Sequence, residues 1–378
     1  MPCLNEAETL KQCIDSAKQG LRDVDLEGEI IVADNGSTDG SIQIAEQYGA
    51  RVVHIEKKGY GSALRGGIEA AIGSFVVMGD ADSSYDFSKL KPFVDNLRTG
   101  FDLVMGNRFK GGIMHGAMPW MHRWIGNPIL STIGRIFFHS KIGDFHCGLR
   151  AFSRSAYDRM ELKTTGMEFA SEMVIKSTLN GLSITEVPIV LHPDGRTRPA
   201  HLRTWRDGWR HLRFMLLFSP RWLFLMPGIL LFALGAIASL VLTMSTIRVQ
   251  SVVFDVHTLL VSALLCLLGY QLIIFALFTK SFAISEGFHP AYKYDWLLKY
   301  LRLETGVIAG LVMALAGLMY VGLAVWNWKI TDFGEMDPST TMRRLVPGSI
   351  FVILGVQTVF ASFFMSILGL RREGSVLP

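Results

Sequence analysis

Two aspartates separated by one residue, Asp80 and Asp82, follow the apolar run Phe75–Met78 and a glycine. A β-branched run that ends at glycine is typical of the carboxyl end of an interior parallel strand, where α/β folds place ligands. Carboxylates there suit Mg²⁺ or Mn²⁺, whose remaining positions are filled by water and substrate phosphates. For an isolated pair the alternative is structural, with Asp80 in a turn and Asp82 capping a helix.

Polar residues also follow a preceding apolar stretch, residues 28–33, in a turn that begins at Asp34. The glycines of Gly59-Tyr60-Gly61 open a helix, and glycine at a helix N-terminus allows a phosphate to approach closely. Apolar strands alternate with helical segments at βαβ spacing, which predicts an α/β fold with a mainly parallel sheet covered on both faces. Carboxylates at successive strand ends would then converge on one crevice.

The composition is too apolar for an ordinary soluble protein, because half of the 378 residues are hydrophobic. Four apolar segments near residues 223–243, 258–279, 305–326 and 347–368 approach the length of about 20 residues that spans a bilayer. The net charge of +4 argues against a general nucleic-acid binder. The four cysteines form no CxxC pair, so a disulfide framework or a structural zinc site is not expected.

These observations predict a catalytic domain in residues 1–200, an amphipathic interfacial helix in 201–221, four transmembrane helices in 222–369 and a tail in 370–378. Trp205 and Trp209 lie between arginines in the interfacial segment, a pattern typical of the membrane surface. Basic residues concentrate before the first span, between the second and third, and after the fourth. By the positive-inside rule, we expect the catalytic domain and the tail to be cytoplasmic. The expected location is the cell (inner) membrane, as a multi-pass protein.

Several motifs together resemble the family 2 glycosyltransferases with the GT-A fold. They are Pro2-x-x-Asn5-Glu6, Asp34-Asn-Gly-Ser-Thr-Asp39, Gly59-Tyr-Gly-x-Ala63 and Asp80-Ala-Asp82. Three later pieces are similar to the dolichyl-phosphate mannose synthase-like branch, which transfers a sugar from a nucleotide-sugar to a polyprenyl phosphate: Gly106-Asn-Arg-Phe109, Asp144–Arg150 and Glu186–Ile189. The resemblance covers about residues 1–200.

The resemblance implies two sets of donor-side contacts. The metal ligands would be Asp80 and Asp82, with Ser84 where the family often has an amide, so that Ser84, Asp86 and water all remain open as the third ligand. The nucleotide-sugar contacts would be Pro2, Glu6, Asp34, Asn35, Gly61, Asp80, Ala81 and, in a mobile basic loop, Arg198, with Arg196 and His192 as alternatives. Asn35 stands where a second aspartate is frequent.

On the acceptor side, the resemblance places Arg108, Arg123 and Asn127 around the lipid phosphate. A metal and cationic side chains would stabilise the leaving diphosphate, which gives Asp82, Arg108 and Arg123 catalytic roles. The acceptor phosphate is already ionised, so no strong general base is needed. Two alternatives stay open: Arg123 as an interfacial cation beside tryptophans, and an internal salt bridge that joins Asp144 to Arg150.

Two other functions compete with this interpretation. A processive polysaccharide synthase usually carries Gln-x-x-Arg-Trp, which the chain lacks. The spans of such a synthase would also have a polar lining for the growing glycan, and the spans of this chain show none. A non-catalytic membrane assembly partner is disfavoured by the intact Asp34, Asp80, Asp82 and Arg108. Relatives begin with an apolar strand before Pro2, so we expect the true start to lie upstream. The sequence leaves the donor open between GDP-mannose and a UDP-hexose, and it specifies neither the prenyl length nor the oligomeric state.

Overall fold

The computed structural model describes residues 1–197, 204–285 and 303–369, and the chain divides into two compact units, residues 1–215 and 216–378. The first unit contains seven described strands: β1 Pro2–Cys3, β2 Ile31–Asp34, β3 Arg51–His54, β4 Phe75–Met78, β5 Leu103–Asn107, β6 Arg150–Ser153 and β7 Ile184–Pro188. Its helices are α1 Leu10–Asp23, α2 Ser41–Gln47, α3 Tyr60–Ala70, α4 Lys91–Arg98, α5 Arg108–Gly111, α6 Asn127–Phe138, α7 Arg154–Met160 and α8 Phe169–Leu179. Helix α9, Thr204–Leu217, follows.

The strands form two hydrogen-bonded sheets. The first, in the order β1-β2-β3, is entirely parallel, and its register brings the carboxyl ends together by pairing Cys3 with Asp34 and Asp34 with His54. The second has the order β4-β6-β5-β7, in which β6 runs antiparallel to β4 and to β5 while β7 is parallel to β5. The predicted parallel-rich α/β architecture is confirmed, and β6 is an antiparallel insertion that the spacing did not indicate.

Apolar helix faces cover these sheets. Leu10 and Ile14 of α1 are fully buried beside Val32 of β2, and Phe93 of α4 is fully buried in one core cluster with Val104 of β5 and Ala151 of β6. A cavity of about 410 Å³ is lined mostly by apolar residues, which come from strands of both sheets, from α1 and α3 and from the segment that connects α1 to β2. The strand expected upstream of residue 1 stays a prediction.

The second unit consists of long apolar helices. A π-helical turn, Arg221–Leu225, leads into α10 Met226–Met244, and α11 Val256–Ser285, α12 Leu303–Ile330 and α13 Pro338–Gly369 follow. All four segments are long and apolar enough to cross a membrane, with bounds of Arg221–Met244, Val256–Ser285, Leu303–Ile330 and Pro338–Leu368. A two-stranded hairpin, β8 Ile247–Val249 and β9 Val252–Phe254, connects the first two.

Glycines set how closely these helices pack. A Cβ on Gly235 of α10 would lie 2.4 Å from the backbone nitrogen of Cys266 of α11. A Cβ on Gly317 of α12 would lie 2.7 Å from the carbonyl oxygen of Gly348 of α13. Because neither contact leaves room for a side chain, α10 with α11 and α12 with α13 form two hairpins packed backbone to backbone. An ion pair of 2.6 Å between Arg343 and Asp255 joins the second hairpin to the first.

Candidate active site

Asp34 ends β2 as a firmly held carboxylate. Its Oδ2 accepts a hydrogen bond from the Gly36 amide and its Oδ1 one from the Ser37 amide, both at 3.0 Å. Burial would raise the pKa of Asp34, but these hydrogen bonds outweigh burial and keep the pKa below its ordinary value. The register also places Asp34 beside His54, whose Nδ1 lies 3.5 Å from Oδ2. The side chain is therefore ionised at neutral pH and fixed at the carboxyl edge of the first sheet.

The neighbouring Asn35 serves as a structural brace. Its Nδ2 donates to the carbonyl oxygens of Ile55 and Lys57, at 2.9 and 3.0 Å, while its Oδ1 accepts from the Gly59 amide at 2.8 Å. Both amide hydrogens are thus used within the protein. The predicted nucleotide contact of the Asn35 side chain stays a prediction, and the geometry shows a different function, which is to tie β2 to the turn that opens α3.

The turn at Gly59 and Gly61 is shaped by a second segment of the protein. Gly59 has φ +131°, and a Cβ there would lie 2.3 Å from the Thr165 carbonyl oxygen. A Cβ on Gly61 would lie 2.9 Å from the Gly166 carbonyl oxygen. The buried Glu172 accepts hydrogen bonds from the amides of residues 163 and 164 and holds this segment in place. Close packing of backbone on backbone therefore explains both glycines, and the predicted phosphate contact at Gly61 stays a prediction.

Asp80 and Asp82 emerge from the end of β4 in different surroundings. The Tyr60 hydroxyl donates to Asp80 Oδ1 at 2.9 Å, a contact that sequence reasoning missed although Tyr60 lies between the two glycines. Burial, together with the negative charge of Asp82, raises the pKa of Asp80 to about 6. Asp82 Oδ1 accepts from the Ser84 amide at 3.0 Å and from the Ser84 hydroxyl at 2.5 Å. Between these two aspartates, the carbonyl oxygen of Ala81 accepts a hydrogen bond from the Thr9 hydroxyl.

The donor set of this turn fits a hard divalent cation. Asp80, Asp82 and Ser84 offer only oxygen atoms, and the pKa of Asp80 is raised by burial and by the nearby charge of Asp82, which a bound cation would offset. Within residues 1–197, 204–285 and 303–369, no group of three or more His, Cys, Asp and Glu side chains is placed to hold a metal. An ion held by two carboxylates and a hydroxyl would leave positions for water and diphosphate oxygens, as Mg²⁺ prefers.

Arg196, in the segment that follows β7, contacts Asp82 and Glu6. Its Nη2 lies 2.6 Å from Asp82 Oδ2, and its Nη1 lies 3.1 Å from Glu6 Oε1. A cavity of about 240 Å³ beside this contact is lined by Asn5, Glu6, Glu8, Asp39 and Arg196. The sequence named Arg196 as an alternative to Arg198, and Arg198 lies outside the described residues.

Arg108 is held by a carboxylate that the sequence did not assign to it. Nε and Nη2 of Arg108 donate to Oδ2 and Oδ1 of Asp144, each at 2.7 Å, and both side chains are buried. Burial would lower the pKa of Arg108, but the Asp144 carboxylate outweighs burial and raises it above its ordinary value. Nη1 of Arg108 donates no hydrogen bond within the described part of the chain, so its two N–H groups remain available to a ligand.

Glu186 organises the loop that carries Asp144. Its Oε1 accepts from the side chain of Asn107 at 3.0 Å and from the Gly143 and Asp144 amides at 2.7 and 3.2 Å, while its Oε2 pairs with Lys110 at 2.8 Å. A single carboxylate on β7 thus joins the end of β5 to the segment before β6. The Glu186–Ile189 motif indicated that this stretch matters, but no pattern in the sequence showed its partners.

The alternative that pairs Asp144 with Arg150 is wrong. The guanidinium group of the fully buried Arg150 donates to the carbonyl oxygens of Cys147, Ala170 and Phe145, at 2.8, 2.5 and 2.9 Å. Asp144 pairs with Arg108 instead, because the segment before β6 turns back over the end of β5. Arg150 therefore shapes the 145–150 turn and leaves Asp144 to orient Arg108.

The two remaining acceptor-side candidates lie on the segment before and at the start of α6. Arg123, in a π-helical turn from His122 to Gly126, places its guanidinium 5.3 Å from the ring centre of Trp124, and Asn127 Nδ2 lies 3.4 Å from Met118 Sδ. Trp124 is 70% exposed. No hydrogen bond or ion pair links Arg123 or Asn127 to the acidic turn within the described ranges. The geometry of Arg123 matches the interfacial alternative, and its phosphate contact stays a prediction.

Comparison with known proteins extends these observations. The glycosyl transferase family 2 model matches residues 1–160, and the model of the family 2 C-terminal transmembrane region matches residues 277–369. The low-salt glycan biosynthesis hexosyltransferase Agl6 of Haloferax volcanii is 39% identical over 371 residues, which cover 98% of this chain and 88% of that protein. The dolichyl-phosphate hexose transferase of the same organism is 32% identical over 44% of this chain and 72% of that protein.

Among solved structures, glucosyl-3-phosphoglycerate synthase from Mycobacterium tuberculosis in complex with Mg²⁺ and uridine diphosphate shows 26% identity. The TM-score is 0.45, over 57% of this chain and 76% of that chain. The extent of the match to the Haloferax hexosyltransferase, together with the two family models, identifies the family of this chain. The chain is a membrane protein that belongs to glycosyltransferase family 2, with a GT-A catalytic domain followed by four membrane-spanning helices.

Proposed function

We propose that the protein transfers one hexose from a nucleotide-sugar to a polyprenyl phosphate at the cytoplasmic face of the membrane, with inversion at the anomeric carbon. The observation that carries this proposal is the presence of an oxygen-only acidic turn, Asp80 and Asp82, and of a buried arginine, Arg108, that Asp144 orients, in a chain that also contains four candidate membrane spans. The names of the relatives, a hexosyltransferase and a dolichyl-phosphate hexose transferase, agree with it.

On the donor side, Asp80 and Asp82 with Ser84 would hold Mg²⁺ or Mn²⁺. The ion would supply positive charge to the diphosphate as it leaves. Asp34, fixed as a carboxylate at the sheet edge, would accept hydrogen bonds from the nucleoside. Pro2 in β1, with Glu6 and the backbone of Ala81 nearby along the same edge, would complete the nucleotide site.

On the acceptor side, the free edge of Arg108 would bind the lipid phosphate. Asp144 fixes the guanidinium plane of Arg108, so the Nη1 donors of Arg108 are oriented before the phosphate arrives. This orientation lowers the entropic cost of binding the phosphate. A phosphate oxygen attacks the anomeric carbon while the bond from that carbon to the diphosphate breaks. No proton has to move, because the nucleophile is already an anion and the leaving diphosphate departs as one.

The lipid character of the acceptor is supported by an apolar surface on the catalytic unit. Trp120, Trp124, Ile129 and Ile136, in and before α6, are 48–70% exposed. Aromatic rings beside the Arg123 cation suit the boundary between head groups and acyl chains. This surface would place the catalytic unit against the bilayer, with the prenyl chain remaining in the lipid.

The test uses membranes that contain the full chain, a polyprenyl phosphate and a panel of radiolabelled nucleotide-sugars, with and without EDTA. We expect one sugar to enter the organic-extractable lipid in a chelator-sensitive reaction that Asp82→Ala abolishes. Arg159→Gln, which removes an exposed charge paired with Asp102, is the matched control and should keep full activity. A polymeric product would favour the polysaccharide synthase alternative, and transfer to no lipid from any donor would refute the proposal.

A further inference from the structure

The segment from His192 to Thr197 is anchored at one end to the turn that contains Asp82 and at the other end to Glu8. The His192 and Gly195 amides donate to the carbonyl oxygens of Ser84 and Asp82, each at 3.0 Å. At the other end, the amide and the hydroxyl of Thr197 donate to the two carboxylate oxygens of Glu8, at 2.8 and 2.6 Å. The segment thus connects the acidic turn after β4 to the residues that precede α1.

This anchoring presents Arg196 to three carboxylates. Its nitrogen atoms lie 2.6 Å from Asp82, 3.1 Å from Glu6 and 3.3 Å from Asp194, and its side chain is 11% exposed. The other oxygen of Asp82, Oδ1, is already occupied by the amide and hydroxyl of Ser84. Arg196 therefore holds the Asp82 oxygen, Oδ2, that is not engaged by Ser84.

We infer that Arg196 is a stand-in cation at Asp82 that makes divalent-metal binding depend on the nucleotide diphosphate, an inference that rests on the proposed function. A guanidinium group 2.6 Å from Asp82 Oδ2 and a metal bonded to the same oxygen compete for that oxygen and repel each other. Arg196 can leave at low cost only if it gains another anion, and a diphosphate suits the planar fork of arginine. Metal and nucleotide then each strengthen the binding of the other, since coupling between two ligands is reciprocal.

Simple charge repulsion makes a different prediction. If Arg196 only repelled the metal, its removal would raise metal affinity equally with and without nucleotide. Glu8 separates the two explanations further, because its carboxylate holds Thr197, the residue that follows Arg196. Loss of the Glu8 charge would weaken metal binding by electrostatics alone, whereas release of the segment would strengthen it.

The experiment measures binding of Mn²⁺ to the detergent-solubilised full chain by electron paramagnetic resonance of the free ion, alone and with UDP or GDP. The variants are Arg196→Gln and Glu8→Gln, with Arg159→Gln as the control for loss of a surface charge. We expect Arg196→Gln to bind Mn²⁺ without nucleotide about tenfold or more tightly than the wild type, the effect of one hydrogen bond between charged groups. Nucleotide should then add little, and Glu8→Gln should shift affinity in the same direction by less.

An equal gain with and without nucleotide, no gain, or weaker binding by Glu8→Gln would overturn the inference. In those cases a chelator-sensitive lipid product in the transfer assay would leave the proposed function intact. If the wild type binds no Mn²⁺ under any condition, both the inference and the proposed metal fail. Elution volume and melting temperature confirm that each variant is folded, so that a loss of binding reports the site.

Discussion

The buried pair of Arg108 and Asp144 yields a prediction that separates stability from activity. Asp144→Asn keeps the shape of the side chain but removes its charge, which leaves the Arg108 cation buried without a counter-ion. Removing one partner of a buried ion pair costs about 3–5 kcal/mol. For a domain of this size, 1 kcal/mol shifts the melting temperature by about 2–4 °C, so we expect a fall of roughly 6–20 °C.

A double variant tests the reason for that loss. Arg108→Met with Asp144→Leu replaces the pair by apolar groups of similar volume, an exchange that is often neutral or stabilising. We expect it to recover most of the melting temperature that Asp144→Asn loses, yet to remain inactive because the phosphate-binding donors are gone. Melting is followed by size-exclusion chromatography of the heated, detergent-solubilised full chain, and activity by transfer of label into lipid.

Two results would refute this reasoning. If Asp144→Asn melts within about 2 °C of the wild type, the pair is not desolvated in the way that its burial indicates. If the double variant is stable and still transfers sugar at the wild-type rate, Arg108 has no part in binding the acceptor. The coupling free energy from the complete double-mutant cycle reports the interaction between the two side chains directly.

Three further predictions concern the same unit. Gly148→Ala would place a Cβ 2.6 Å from Asp80 Oδ2 and 3.0 Å from the Tyr85 ring, so displacement of Asp80 should lower kcat/KM about a hundredfold in initial-rate assays; a rate near wild type would contradict this. Burial lowers the pKa of His211 from 6.5 to about 4, so the neutral form stabilises the fold above pH 6.5 and up to about 3 kcal/mol is lost as the pH falls from 6.5 towards 4. Melting temperatures at pH 7.5 and 5 should show about 2 kcal/mol of this loss, and His211→Asn should remove it. Because Asp80 must lose its proton to bind a metal and has a pKa of about 6, Mn²⁺ affinity should fall about tenfold per pH unit below 6, measured by titration of the free ion.

The elements that carry the site were predictable because their signals are local. The apolar run before Gly79 ends where β4 ends, and it places Asp80 and Asp82 at a strand terminus. The glycines at 59 and 61 mark the start of α3 in the sequence, although their close contacts with Thr165 and Gly166 emerged only from the fold. The four apolar helices follow from length and hydropathy alone.

The partners of the charged residues were not predictable, because they depend on contacts between distant segments. Arg108 meets Asp144, 36 positions later in the chain, only because the second sheet folds the two loops together. Arg150 could have paired with a carboxylate or with carbonyl groups, and nothing in its neighbourhood in the sequence decides between them. The four residues of β6 are likewise too few to show a period, so its antiparallel pairing emerged only from the fold.

The glycine contacts between the long helices bear on how the protein enters the membrane. Lipid tails give apolar helices no reason to associate, so close backbone packing has to supply the attraction. Since α10 packs closely against α11 and α12 against α13 at such positions, each hairpin contains its own source of cohesion. Biogenesis can then proceed in two steps. Each hairpin inserts and packs as it is synthesised, and the ion pair between Asp255 and Arg343 then joins the second hairpin to the first.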